Sequence, residues 1–256
     1  MTPLLETCGL SKTFGGLKAV QKVNLRVDAN RIVSVIGPNG AGKTTLFNCL
    51  SGIYCADGGT ISLDGHDITG RPPHQVCRLG MSRTFQNIRL FPEMTVLENV
   101  LVAQFKERSL SPWQLLLHSA RFRDEEKRCR ADALEFLQFV GLAHHANTLS
   151  SNLAYGLQRR LEIARALATR PRLLLLDEPA AGMNPQETVE MVQLISRIRE
   201  RGLAILLIEH HMKVVMTISD EILVLDHGIP IAHGTPEKVR NDPQVIKAYL
   251  GEEVSP

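Results

Sequence analysis

The chain has 256 residues, 44% hydrophobic and 22% charged, so it can bury a substantial core over one or two domains and is neither fibrous nor disordered. Basic residues number 29 and acidic ones 27, a formal net charge of +2 with no long Lys/Arg block, which gives no support to nucleic acid as a partner. Cys8, Cys49, Cys55, Cys77 and Cys129 form no C-x-x-C pair, which argues against a disulfide framework or a zinc ribbon and fits a reducing cytosol.

Residues 1–10 lack the basic start and apolar run of a secretory signal. The longest apolar runs, such as 203–208, fall far short of the ~20 residues a membrane helix needs, so any service to a membrane is expected through a partner. Residues 23–27 alternate apolar and polar side chains, which predicts a half-buried strand, and 32–36 is a β-branched run that stops at a glycine-rich loop. Residues 60–63 followed by Asp64-Gly65 read as a strand and a turn. From about Val96 to Ala168 the pattern is helical, with Leu134, Leu137 and Val140 expected on one face and Gly141 at a helix C-cap. Strands return at 173–176 and 204–208 around a helix at 186–199, and 222–225 with 229–232 across Asp226-His227-Gly228 suggests a hairpin. Thr235-Pro236-Glu237 is a helix start. This succession implies a parallel α/β sheet with the helical middle as an insertion.

Gly37-Pro38-Asn39-Gly40-Ala41-Gly42-Lys43-Thr44-Thr45 matches G-x-x-x-x-G-K-[ST] between a predicted strand and a predicted helix. Glycines let backbone N–H groups turn inward around phosphates, and the helix N-terminus adds a favourable dipole. Lys43 is then a point charge for the β- and γ-phosphates and the Thr44 hydroxyl a Mg²⁺ ligand. With glycine near 7% of residues, chance would produce this pattern in about 1% of chains of this length, so it marks a nucleotide site.

Residues 173–176 are four leucines that run into Asp177 and Glu178. An acid at the end of a buried strand beside a phosphate loop suits Mg²⁺, directly or through water, and Glu178 suits the activation of an attacking water. His210, just after the predicted strand 204–208, is placed to sense a γ-phosphate, although a lone His after a strand is more often a surface residue, as His211, His144 and His145 illustrate.

With these elements in order, nearly the whole chain resembles the nucleotide-binding subunit of ABC transporters, most closely the larger ATP-binding subunit of branched-chain amino acid importers. Its most telling stretches are Thr84-Phe85-Gln86-Asn87-Ile88-Arg89-Leu90-Phe91, Asn152-Leu153-Ala154-Tyr155-Gly156, and Asp177-Glu178-Pro179-Ala180-Ala181-Gly182-Met183-Asn184-Pro185. Ile208-Glu209-His210 and the tail from Gly234-Thr235-Pro236-Glu237 to Ala248-Tyr249-Leu250-Gly251 add to the match. The resemblance implies an α/β fold, a P-loop NTPase with a RecA-like core and antiparallel β subdomain plus an inserted helical subdomain. The whole is expected to form one ABC ATP-binding domain. Its core covers about 1–87 and 169–235, its helical subdomain about 88–168, and a C-terminal helical tail about 236–256.

By the same resemblance the ligands are ATP and Mg²⁺, with Thr44, Gln86 and Asp177 around the metal. Glu178 and His210 are the catalytic pair, and Gln86 also links the site to the membrane subunit. Phe14 stacks on adenine, although read alone a core position suits it better. Leu153, Ala154, Tyr155 and Gly156, followed by Leu157-Gln158, stand where the family has its L-S-G-G-Q signature, a phosphate clamp for the opposite subunit's ATP. Here Ala154 lacks the serine hydroxyl, Tyr155 replaces a glycine and Leu157 a glutamine, which predicts a weaker clamp. Ala180 to Asn184 stands where a loop crosses the dimer interface, with Asn184 in place of the common aspartate.

The implied partners are a second, related ATP-binding subunit, two transmembrane permease subunits and an extracytoplasmic substrate-binding protein, without nucleic acid. The implied location is peripheral, on the cytoplasmic face of the bacterial inner membrane. Urea, short amides and other amino acids stand beside branched-chain amino acids as cargo. A soluble ABC ATPase acting on nucleic acid or ribosomes is the rival of another class, but such proteins carry coiled coils, zinc-binding inserts or paired cassettes that this chain lacks. A regulatory cassette without turnover is opposed by Glu178 and His210 and kept open by Leu157. Residues 113–130 mix Trp113, Leu115, Leu116, Leu117 and Phe122 with basic residues. The expectation there is a helix packed on its own subdomain with a solvated basic face, ahead of one lying on a membrane subunit or lipid.

Overall fold

A computed structural model of the chain describes residues 3–104 and 120–250. The described residues divide into two compact units, one running to Arg83 and resuming at Arg172, the other lying between Thr84 and Pro171. Of the stretch 113–130, residues 113–119 lie outside the described residues; further on, Lys127, Arg128 and Arg130 are exposed. No helix among the described residues is long and apolar enough to cross a membrane.

The first unit holds strands β1 (Leu5–Phe14), β2 (Leu17–Val27), β3 (Ile32–Ile36), β4 (Gly58–Leu63), β5 (His66–Asp67), β6 (Met81–Arg83), β7 (Leu173–Asp177), β8 (Ala204–Ile208), β9 (Glu221–Asp226) and β10 (Ile229–Gly234). They form a four-stranded sheet in the order β2-β1-β4-β5, antiparallel throughout, and a six-stranded sheet in the order β10-β9-β3-β8-β7-β6. The six-stranded sheet is parallel except for the edge strand β10, which returns from β9 through the expected hairpin. Alternation in β2 buries Val23, Leu25 and Val27 and exposes Asn24 and Arg26, as a strand with one wet face requires.

Strand periodicity also sorts the parallel sheet into two apolar faces. On one, Val33, Val35, Leu175, Leu206, Leu223 and Leu225 join Leu5, Leu25 and Ile61 of the antiparallel sheet. Helix α1 (Lys43–Leu50) contributes Leu46, Phe47 and Leu50 to that same core, each worth roughly 1.5–3 kcal/mol over exposure. On the other face Ile36, Ile222 and Val224 pack with Val215, Val239 and Val245. The helices of this unit are α1, α2 (Pro73–Arg78), α6 (Pro185–Glu200), α7 (Met212–Ile218), α8 (Pro236–Arg240) and α9 (Pro243–Leu250).

The second unit is built on α3 (Val96–Ala103), α4 (Ala120–Val140) and α5 (Tyr155–Ala168), which pack on one another. Between α4 and α5 the chain is broken by 3₁₀ turns at Ala143–His145 and Ser150–Asn152, so the helical pattern is not continuous to Ala168. Gly141 ends α4 with φ 81°, its N–H bonded to the Gln138 carbonyl and that of Leu142 to the Leu137 carbonyl, a glycine-ended helix stop as expected. The expected face needs correction. Ala133, Leu137 and Val140 are buried while Leu134 is 38% exposed, because at 3.6 residues per turn it lies about 90° round the helix from the middle of that stripe.

Candidate nucleotide site

The parallel strands set the site. Val35 of β3 and Asp177 of β7 both pair with Ile208 of β8, so the three strand ends share one row and Asp177 lies two strand spacings, about 10 Å, from Val35. The phosphate loop leaves β3 at this edge, Glu178 leaves β7 and Glu209-His210 leaves β8. The chain order also reverses here, since β3 sits between β8 and β9, and crevices at such points take ligands in open α/β sheets.

In the loop, Gly37 has φ 150° and a side chain there would lie 2.0 Å from the Leu225 carbonyl oxygen. Gly42 has φ 97° and a side chain would lie 2.2 Å from the Ala19 carbonyl oxygen. Neighbouring backbone crowds both glycines, so no larger residue fits. Pro38 is buried, whereas Asn39 and Gly40 are exposed, and Ala41 packs into the core while its carbonyl accepts the Gly228 N–H. Gly42 is also the N-cap of α1 and leaves the first turn without a side-chain cap. Lys43 is 6% exposed, and its Nζ donates to the carbonyls of Gly37 at 2.6 Å and Pro38 at 2.8 Å, which holds the ammonium inside the loop. Thr44 presents its hydroxyl at an exposed position on the first turn, with Thr45 half-buried beside it.

Asp177 is 1% exposed and Arg83 Nη2 donates to its Oδ2 at 2.7 Å. The other arm of Arg83 donates to Asn48 Oδ1 at 2.6 Å and Ser51 Oγ at 3.1 Å, at the far end of α1. Glu178 follows in a left-handed backbone conformation, φ 50°, unusual for a residue with a side chain. Its N–H donates to the Ile208 carbonyl, and its own carbonyl accepts the Ala181 N–H. His210 Nε2 donates to Glu178 Oε1 at 2.6 Å, with the imidazole exposed and the carboxylate largely covered. Residue 184, expected at an interface loop, is engaged locally. Asn184 Oδ1 accepts the Glu187 N–H and the Glu187 carboxylate accepts the Asn184 N–H, a capping box that opens α6.

Phe14, at the end of β1, is 41% exposed, which removes the core reading. It meets Tyr54 edge-on with centroids 5.3 Å apart, and Lys12 Nζ stands 5.2 Å from its centroid. Asp57 fixes this strand end. Its carboxylate accepts Lys12 Nζ and the Thr13 N–H, and these two bonds hold its pKa below the usual range.

The remaining predicted residues lie in the second unit. Gln86 is exposed and its backbone carbonyl accepts Arg159 Nη2. Arg159 Nη1 donates to the Phe85 carbonyl at 2.6 Å, and Arg159 Nη2 to the Tyr155 hydroxyl at 3.0 Å. Glu162 accepts the Phe85 N–H and pairs with Arg159 at 3.3 Å; burial raises its pKa against the pull of both partners. Leu153 and Gly156 are buried, Ala154 and Tyr155 exposed, and Ala154 is the N-cap of α5 with no side-chain cap. Tyr155 is thus pinned by the guanidinium that holds the Gln86 loop.

Sequence reasoning does not find Arg83, Arg159 or Glu209. Arg83 ends a three-residue strand too short to show a period, and Arg159 is one of several basic residues on its helix. Glu209 did carry a signal, an acid directly after five buried apolar residues, the same pattern that marks Asp177 and Glu178.

Comparison with known proteins agrees with this geometry. Residues 20–181 match the family described as ABC transporter, and residues 230–255 match the one described as branched-chain amino acid ATP-binding cassette transporter. The chain is 54% identical over 251 residues to the high-affinity branched-chain amino acid transport ATP-binding protein BraF of Pseudomonas aeruginosa, covering 98% of each chain. It is equally similar, with the same coverage, to the protein of that description named LivG in Escherichia coli K12. Among solved structures, the ADP conformation of an ATP-binding cassette of an ABC transporter matches with a TM-score of 0.85 at 32% identity, covering 98% of this chain and 100% of that one. Together with the phosphate loop at the carboxyl edge of the parallel sheet, these findings place the chain in the ABC transporter family, as an ATP-binding and ATP-hydrolysing subunit of a transporter.

Proposed function

We propose that this subunit drives the import of branched-chain amino acids, hydrolysing ATP with Glu178 as the base that activates water and His210 as its hydrogen-bond partner. The observation that carries the site is the 2.6 Å bond between His210 and Glu178, at the strand row where the phosphate loop begins. Support for the cargo comes from what the relatives are named for and from the C-terminal segment at 230–255.

Lys43 already sits inside the loop and would exchange the Gly37 and Pro38 carbonyls for β- and γ-phosphate oxygens. The loop's N–H groups and the uncapped start of α1 complete the cradle formed by Gly37 to Thr45, and Phe14 stacks on adenine. The donor set fits magnesium, which favours hard oxygens and takes one or two carboxylates beside substrate phosphates. Thr44 and Asp177 would hold it, and it would supply neutralisation of phosphate charge. Water then attacks the γ-phosphorus, the bond to the β–γ bridging oxygen breaks, and Glu178 takes the water's proton, giving ADP and phosphate. The exposed imidazole of His210 keeps the carboxylate aimed and offers a contact to the γ-phosphate. Leu153, Ala154, Tyr155 and Gly156 would close on the ATP of a related second cassette; two permease subunits and an extracytoplasmic binding protein would complete the complex, with this subunit at the cytoplasmic face of the membrane.

The test is turnover of the transporter carrying Glu178→Gln. A general base contributes roughly 10²- to 10⁴-fold, so kcat should fall by at least about 100-fold while calorimetry still shows nucleotide binding. Equal rates would remove Glu178 as the base. Stimulation of the wild-type complex by binding protein loaded with leucine, but not with urea, tests the cargo.

A further inference from the structure

Glu209 is the residue between the last strand position of β8 and His210, and it is 2% exposed. Its Oε1 accepts the Ala180 N–H at 2.9 Å, and its Oε2 accepts the N–H groups of His210 at 3.1 Å and His211 at 3.3 Å. Among the described residues its ion-pair partner is the His211 ring, Nδ1 at 3.5 Å, on a side chain that is 56% exposed. A carboxylate taken this far out of water is held by backbone N–H groups. Those groups belong to two different loops.

We propose that Glu209 is a positioning residue for ATP hydrolysis, which fixes the turn after Glu178 against the start of the His210 loop and so sets the Glu178–His210 contact. The proposal rests on the reading of Glu178 and His210 given above. Its physical basis is the backbone of Glu178. A left-handed conformation at a non-glycine residue persists only where its surroundings over-determine it. Two tethers do so here: the Glu178 N–H is bonded to the Ile208 carbonyl at 2.9 Å, and two residues later the Ala180 N–H is bonded to Glu209. The first tether is main chain and survives any substitution at 209, whereas the second is the Glu209 side chain alone. Both of its oxygens are needed, since an amide in its place has one acceptor and must leave either Ala180 or the His210-His211 pair without one.

Glu209→Gln keeps the shape and removes one acceptor, and it is measured in the assembled transporter. A displacement of about 1 Å in a reacting group lowers rates by up to about 100-fold, so kcat is expected to fall roughly 10- to 100-fold with KM for ATP and the Kd for ADP unchanged. In a His210→Ala background the same substitution should lower kcat by less than about 3-fold, because the contact it serves is already gone. Wild-type kcat in Glu209→Gln overturns the proposal, as does an equal fall in both backgrounds or a matched rise in KM and Kd. Where Glu209→Gln does not fold, Glu209→Asp, with both acceptors one methylene short, is read in the same way. A chain that unfolds with both substitutions assigns Glu209 a structural role and also overturns the proposal. Glu178→Gln run alongside keeps the two readings apart, since wild-type turnover there removes Glu178 as the base whatever Glu209 does.

Discussion

A guanidinium and a carboxylate, both nearly out of water, meet where Arg83 Nη2 lies 2.7 Å from Asp177 Oδ2, with side-chain exposures of 7% and 2%. Removing one member of such a pair leaves the other charge buried and uncompensated, which typically costs about 3–5 kcal/mol. Arg83→Leu should therefore lower stability by about that amount in urea unfolding at neutral pH. A loss below about 1 kcal/mol would mean that other groups carry Asp177 without the arginine. The residue scale is also where reading the sequence was least complete. Asp177 was expected as a metal ligand from its place after four leucines, yet its guanidinium neighbour lies 94 positions away and no local pattern announces it.

At the scale of elements, α6 shows how a position assigned by resemblance can have a second, local role. Asn184 was expected at an interface loop, and its side chain closes a reciprocal capping box with Glu187 at the start of a 16-residue helix. Met191, Leu194, Ile195 and Ile198 bury one face of that helix at the spacing of an amphipathic element. Loss of an Asn cap typically costs about 1 kcal/mol, so Asn184→Ala should destabilise the chain by roughly 0.5–2 kcal/mol by chemical denaturation. An unchanged midpoint would show that the cap contributes nothing. Helix α4 carries the opposite lesson: Leu134 was assigned to the buried face on spacing alone, and the neighbouring Ala133 occupies it. Apolar character did not decide between them, because the packing partners, α3 and α5, select the stripe.

For the molecule as a whole, the phosphate loop, Asp177, Glu178 and His210 belong to one unit and Gln86 with residues 153–156 to the other. Ligand that binds only the folded state stabilises it by RT ln(1 + [L]/Kd), about 2.7 kcal/mol at 100 times Kd. Mg-ADP at that concentration should raise the melting temperature of the wild-type chain, and Lys43→Ala should abolish the rise. A full rise in Lys43→Ala would place nucleotide binding away from the loop. What the sequence alone determined was carried by motifs and turns of a few residues. That covers the strand that stops at the phosphate loop, the acids at the end of a leucine run and the hairpin at Asp226-His227-Gly228, while the family came from a resemblance across nearly the whole chain. Those local features were legible because turn geometry and strand period involve residues only a few positions apart. Only the tertiary structure decided that Arg83 reaches Asp177, that Arg159 joins Tyr155 to the Gln86 loop across 73 residues, and that Glu209 holds Ala180 across 29. Such contacts depend on how strands order themselves in a sheet and helices choose their buried stripe, which is settled by burying a shared core and not by any one segment.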